Sequence, residues 1–218
     1  ESALADAATA ADCYESVLAA DAEDVQALDD LAHIREAQGR FADAVALLVR
    51  RLALEGDPAA RVLLRHRTAR IQTARLGDVP GAIDSYRALL AEAPGEAEAA
   101  VELEKLLGEA GRWDELRTVL GERLERATAV GERSDIRVRL AHLAEQKFDD
   151  RDAAMEQLRH VLDEDGTNPV AVEELDRLYT TGERWRDLVA LLDRRASAAS
   201  AAGDRPGEVA LLRRACGV

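Results

Sequence analysis

The stretch "GRWDELRTVL", Gly111 to Leu120, recurs with the same design 72 residues later as "ERWRDLVALL", Glu183 to Leu192, and 72 residues earlier as "GRFADAVALL", Gly39 to Leu48. Sliding the chain on itself by 72 aligns most of it without gaps. Tyr14 meets Tyr86 and Leu158, Leu18 meets Leu90 and Leu162, Leu31 meets Leu103 and Leu175, and Ile34 meets Leu106 and Leu178. Phe41 meets Trp113 and Trp185. Self-similarity at a fixed period marks a solenoid, whose units bury their apolar faces only by stacking on one another. The units run approximately over residues 1–72, 73–144 and 145–216.

Within one unit the apolar residues fall at helical spacing. Ala82, Ile83, Tyr86, Leu89 and Leu90 form one stripe, and Ala99, Ala100, Leu103, Leu106 and Leu107 the next. Trp113, Leu116, Val119, Leu120 and Leu124 form a third; Ile136, Leu140, Leu143 and Ala144 form a fourth. Gly39, Gly77, Gly111, Gly131 and Gly182 end or separate stripes, and Asp57-Pro58 and Asn168-Pro169 read as an N-cap followed by proline in the first helical turn. The expected fold is therefore all-α, about twelve antiparallel helices, four to each 72-residue unit.

Composition agrees. Of 218 residues, 47% are apolar and 33% charged, but only 3% are aromatic, which is helix-forming material. A net charge of -14 opposes phosphate backbones and anionic membrane surfaces, so no nucleic-acid partner is expected. No apolar run approaches the roughly 20 residues that span a bilayer, and no membrane insertion is expected. The opening "ESALADAATAADCYESVL" has no basic region, no apolar region and no initiating Met, which reads as a segment of a longer polypeptide. Cys13 and Cys216 stand near opposite ends, too far apart in an elongated array for an intramolecular disulfide. Their isolation points to a reducing, cytoplasmic compartment. Of 29 basic residues only Lys105 and Lys147 are lysine.

Two helix pairs per 72 residues leave about 36 residues to a pair, near the 34 of the tetratricopeptide repeat. Gly77 to Pro94, "GDVPGAIDSYRALLAEAP", resembles the second half of that motif: Gly77-Asp78 at the turn, Ala82 and Ile83 inward, Tyr86 at the crowded aromatic position, Leu90, and Pro94 closing the unit. In "GRFADAVALL", Gly39, Phe41, Ala44 and Leu48 fill the same roles. The resemblance covers nearly the whole chain, as five helix pairs with an unpaired helix at each end, and implies a right-handed superhelix. It departs from the family where the small residue of the first helix, present as Ala32, Ala69 and Ala141, is replaced by Glu104 and Asp176. The pairs opening near Pro58 and Gly131 hold one extra residue.

No catalytic constellation assembles, so the chain reads as a non-enzyme without cofactor. His33, His66, His142 and His160 include no pair at i, i+4 and no nearby cysteine, so no metal site is expected. "HVLDEDGTNP", His160 to Pro169, lacks the register and final glutamate of a calcium loop and reads as a turn. Trp113 and Trp185, equivalent to Phe41, read as core.

One pattern survives. In the tetratricopeptide family the first helix of each pair lines a concave groove, and its ninth position points inward. Carried onto this chain, that position holds His33, Arg70, Lys105, His142 and Arg177, and three residues earlier stand Asp30, Arg67, Glu102, Arg139 and Glu174. In the first, third and fifth pairs acid and base neutralise each other; Arg67 beside Arg70 and Arg139 beside His142 repel unless an anion lies between. Two readings stay open: Arg67 and Arg139 reach Glu102, Glu174 or Asp30 on flanking helices, or the groove offers guanidinium forks to the carboxylates of a bound peptide. The family's Asn and Lys clamp is not reproduced, Asn168 being the sole Asn.

The expected function is a scaffold holding a protein or peptide segment, acidic or of mixed charge, within a larger bacterial protein. The alternatives are a structural spacer or self-association module using the open terminal helices, and the regulatory arm of a larger enzyme.

Overall fold

The structure, a computed structural model, describes residues 2–217; the side chains of residues 2–7 lie outside that description. Twelve α-helices and no strand are found among the described residues. They gather into two compact units, residues 1–112 and 113–218.

The first unit holds α1 (Ser2–Ala20), α2 (Val25–Ala37), α3 (Phe41–Leu54), α4 (Pro58–Ile71), α5 (Val79–Glu92) and α6 (Ala97–Glu109). The second holds α7 (Trp113–Arg126), α8 (Val130–Phe148), α9 (Arg151–Glu164), α10 (Pro169–Thr181), α11 (Trp185–Ala201) and α12 (Arg205–Cys216). Within each unit the main contacts join a helix to its neighbours in sequence. Within each unit the apolar stripes are thus buried mainly against helices adjacent in sequence, as a repeat array requires.

The helix ends follow the local chemistry. Asp24, Asp57, Asp78, Asp150, Asn168 and Asp204 each accept a backbone N–H in the first turn of the helix they open. Pro58 and Pro169 occupy first-turn positions, where a missing N–H costs nothing. Gly131 lies inside the first turn of α8 and separates nothing, since Ala129 opens that helix.

The 72-residue period reappears in backbone geometry. Gly39, Gly111 and Glu183 turn the chain at φ 74°, 69° and 54°. The amides of Arg40, Arg112 and Arg184 close the preceding helices onto the carbonyls of Arg35, Leu107 and Tyr179 at 2.8, 2.9 and 2.8 Å. The extra residue takes two forms. After α4 it is absorbed by a π turn, Gln72–Leu76, before Gly77 at φ 64°. At the equivalent end of α8 the helix stays regular to Phe148 and Asp149 takes the left-handed turn at φ 52°. In both, an amide bonds six residues back at 2.9 Å, Asp78 to Gln72 and Asp150 to Ala144.

In the first unit Ala11, Leu28, Leu31, Ala32, Leu48 and Ile71 belong to one core cluster, with Phe41 packed against it. In the second, Ala154, Leu158, Leu175, Leu178, Leu188 and Leu192 lie at the centre. Each fully buried leucine contributes about 2 kcal/mol. The small residues of the first helices are buried as their role demands: Ala32 is 0%, Ala69 0% and Ala141 1% exposed. Where Asp176 replaces them, Arg214 of α12 grips its carboxylate with both Nη1 and Nη2, and Arg195 of α11 lies 3.9 Å away.

The three equivalent aromatics do not share one environment. Phe41 and Trp113 pack against cores and are capped by cations, Arg75 at 5.5 Å and Lys147 at 4.5 Å from the ring centroids. Trp185 is 44% exposed, which corrects its reading as core. The physical reason is that a repeated position fixes only the face from which a ring leaves its helix, whereas burial depends on what packs over that face, which for Phe41 and Trp113 includes Arg75 and Lys147.

Candidate functional site

The candidate residues sit on the first helices of the pairs, and each unit arranges its own set differently. In the first unit His33 is exposed on α2, its Nδ1 donating to the Asp29 carbonyl at 2.9 Å. Asp30, one turn before it, accepts from Gln26 at 2.8 Å and from the Tyr14 hydroxyl. These two hydrogen bonds hold its carboxyl below the ordinary carboxylate range.

Arg67 on α4 reaches back to α2, donating to Glu36 through Nε at 2.8 Å with Nη2 at 2.6 Å. The partner is Glu36, not Glu102 or Asp30: α2 and α4 place that carboxylate directly across from the guanidinium, and the cation beside Arg70 is neutralised from within. Arg70 and Lys105 are exposed and make no ion pair among the described residues. Below them Tyr86 of α5 is 2% exposed; burial and the Glu102 and Glu98 carboxylates raise its phenol, while Arg70 pulls it the other way.

The second unit closes on itself. Arg177 of α10 forms a two-pronged pair with Glu145 of α8 at 2.8 and 2.5 Å, and also donates to Glu174 at 3.0 and 2.7 Å. The Arg177 guanidinium holds Glu145 below the usual carboxylate range. His142 Nε2 lies 3.7 Å from Glu174. Arg139 is exposed one turn earlier on α8. His142, Glu145, Gln146, Asp149, Arg151, Glu174 and Arg177 line an open cavity of about 420 Å³.

The residues of the face not identified from sequence are Glu36 and Glu145. Both stand about 31 or 32 residues from the arginine they hold, as do Glu92 from Arg61 and Glu164 from Arg133. That shared separation is visible once the pairs are known, but the charges along the sequence do not by themselves single them out.

No group of three or more His, Cys, Asp or Glu able to hold a metal occurs among the described residues. No helix among them is long and apolar enough to cross a membrane.

The family profile "Tetratricopeptide repeat" matches residues 27–62, which cover α2, α3 and the start of α4. Cellulose synthase operon protein C of Xanthomonas axonopodis pv. citri (strain 306) is 33% identical over 122 residues, 54% of this chain and 8% of that protein. The chain thus spans a small part of that relative's length. Among solved structures, that of Naa15/Naa10 bound to HypK-THB superposes with a TM-score of 0.58 at 14% identity, covering 94% of this chain and 33% of the other. The human IFIT1 dimer with PPP-AAAA gives 0.49 at 16% identity, covering 88% and 46%. With the profile match over residues 27–62, the internal 72-residue period and the all-helical architecture together, this chain has a tetratricopeptide-like all-α fold.

Proposed function

We propose that the chain is a non-catalytic scaffold of three 72-residue units that holds a segment of a partner protein against the first helices of its pairs. The residues of that face are His33, Arg67, Arg70 and Lys105 in the first unit and Arg139, His142 and Arg177 in the second. One observation carries the reading: Arg177 holds the Glu145 carboxylate in a two-pronged grip. In the first unit the residue equivalent to Glu145 is Thr73, and the equivalents of His142 and Arg177 are Arg70 and Lys105. Where the second unit supplies its own carboxylate, the first leaves two cations to a ligand. An acidic or mixed-charge peptide fits that demand. The similarity to a stretch of a much longer bacterial protein supports a role as a repeat segment within a larger polypeptide.

The test is binding of a fluorescein-labelled Glu-Ala peptide, followed by anisotropy at low salt. Arg70→Glu with Lys105→Glu weakens binding on the order of tenfold or more, equivalent to about 1.4 kcal/mol. Arg177→Glu changes it less, because that side chain is already engaged. Equal effects at both sites, or none at the first, would sink the reading.

A further inference from the structure

The face that carries Arg70 and Lys105 in the first unit is not polar throughout. Leu63 on α4 is 71% exposed and Val101 on α6 is 44% exposed. One aliphatic side chain alone on a surface is ordinary. These two share a face with the exposed bases: Leu63 stands two turns before Arg70 on α4, and Val101 one turn before Lys105 on α6. The opposite sides of the same helices hold the core, through Ala69 and Ile71 on α4 and Leu103 and Leu107 on α6. Tyr86 of α5 ties the two faces together, its phenol responding to Arg70 from α4 and to Glu98 and Glu102 from α6. In steps of 72 the counterparts of Leu63 are Asp135 and Gly207, and those of Val101 are Asp29 and Glu173. None of the four is aliphatic, so the apolar pair belongs to the one place where two bases are also left exposed.

We infer that this face selects an acidic peptide segment that also carries an apolar side chain, its carboxylates on Arg70 and Lys105 and its apolar group over Leu63 and Val101. The inference rests on the scaffold reading above and adds a requirement on the ligand's own sequence. Charge sets the direction of the fit. Glu98 and Glu102 flank Val101 on α6, so a ligand carboxylate is repelled there and drawn toward Arg70 and Lys105. The apolar seat is left to a side chain without charge. At a rise of about 1.5 Å per residue, Leu63 lies about 10 Å from Arg70 and Val101 about 6 Å from Lys105 along the helix axes. An extended ligand advances about 3.3 Å per residue, which places its apolar and acidic side chains two or three residues apart. The second unit offers no such seat: Asp135 and Glu173 are exposed at the equivalent places, and Arg177 is engaged by Glu145.

The test uses three fluorescein-labelled peptides, each with one Glu-Glu pair, followed by anisotropy at low salt. The first, Leu-Ala-Ala-Glu-Glu-Ala-Ala-Leu, sets a leucine three residues from the nearer glutamate in either direction. The second has alanine in place of both leucines. The third, Ala-Ala-Leu-Glu-Glu-Leu-Ala-Ala, keeps the composition and closes the spacing. The unsubstituted 218-residue chain is expected to bind the first roughly fivefold more tightly than the other two. Leu63→Ser with Val101→Ser removes that advantage and leaves the alanine peptide's affinity unchanged. Helicity by circular dichroism stays the same, both side chains being exposed. Arg70→Glu with Lys105→Glu weakens binding of all three peptides. A leucine advantage that is absent from the unsubstituted chain, equal for the third peptide, or retained by the serine variant overturns the inference. In those cases the scaffold reading stands, provided the alanine peptide still needs Arg70 and Lys105. An alanine peptide indifferent to both bases overturns that reading and this inference with it.

Discussion

Glu183 does the work that Gly39 and Gly111 do in the other two copies of the turn, with φ 54°. A side chain in the left-handed region costs about 1 kcal/mol, and glycine's extra freedom in the unfolded chain returns about half of that. Glu183→Gly therefore raises stability by about 0.5 kcal/mol, read as a higher urea midpoint at unchanged slope; a lower midpoint would contradict the strain. Asp149→Gly gains less, because a short aspartate tolerates that backbone. The tryptophans offer a second residue-level check. Trp113 lies under Lys147 and Trp185 is 44% exposed, so acrylamide quenches Trp113→Phe protein more strongly than Trp185→Phe protein. The sequence aligned these aromatics correctly but could not reveal their difference, because a cap arrives from a helix more than 30 residues away.

At the scale of the element, ion pairs fasten the hairpins with the same period. Arg61 and Arg65 of α4 converge on Glu92 of α5 at 2.7 and 2.5 Å, and Arg133 and Arg137 of α8 reach Glu164 of α9 at 2.8 and 3.8 Å. The hydrogen bonds from Arg61 and Arg65 lower the Glu92 carboxyl to about 2, from an ordinary 4.5. A carboxyl depressed on folding stabilises the native state above 4.5, and that contribution fades as pH falls from 4.5 toward 2. Glu92→Gln accordingly lowers stability at pH 7 by about 1 kcal/mol, its partly exposed pairs being screened by solvent. It also flattens the loss between pH 4.5 and pH 2, measured as melting temperature against pH. A variant that loses stability over that window as steeply as the parent would remove Glu92 from the account. Helix stripes and caps were legible in sequence, because they depend on residues within a turn or two. The ion pairs were not, since a charge at helical spacing looks the same whether it meets water or a partner.

At the scale of the whole molecule, contacts run between consecutive helices within each unit, so stability builds up locally. Residues 1–112 expressed alone are expected to remain helical and to melt cooperatively by circular dichroism; a disordered spectrum would show that the first unit needs the second. The sequence by itself determined the helices, their turns, the 72-residue period and the tetratricopeptide-like class, because apolar spacing and caps act over short separations and repeat in the letters. Only the tertiary structure decided which charges are spent. It placed Glu36 on Arg67 and Glu145 on Arg177, and left Arg70, Lys105 and Trp185 exposed. Those outcomes depend on where one helix falls against another, a distance in space that spacing along the chain does not encode.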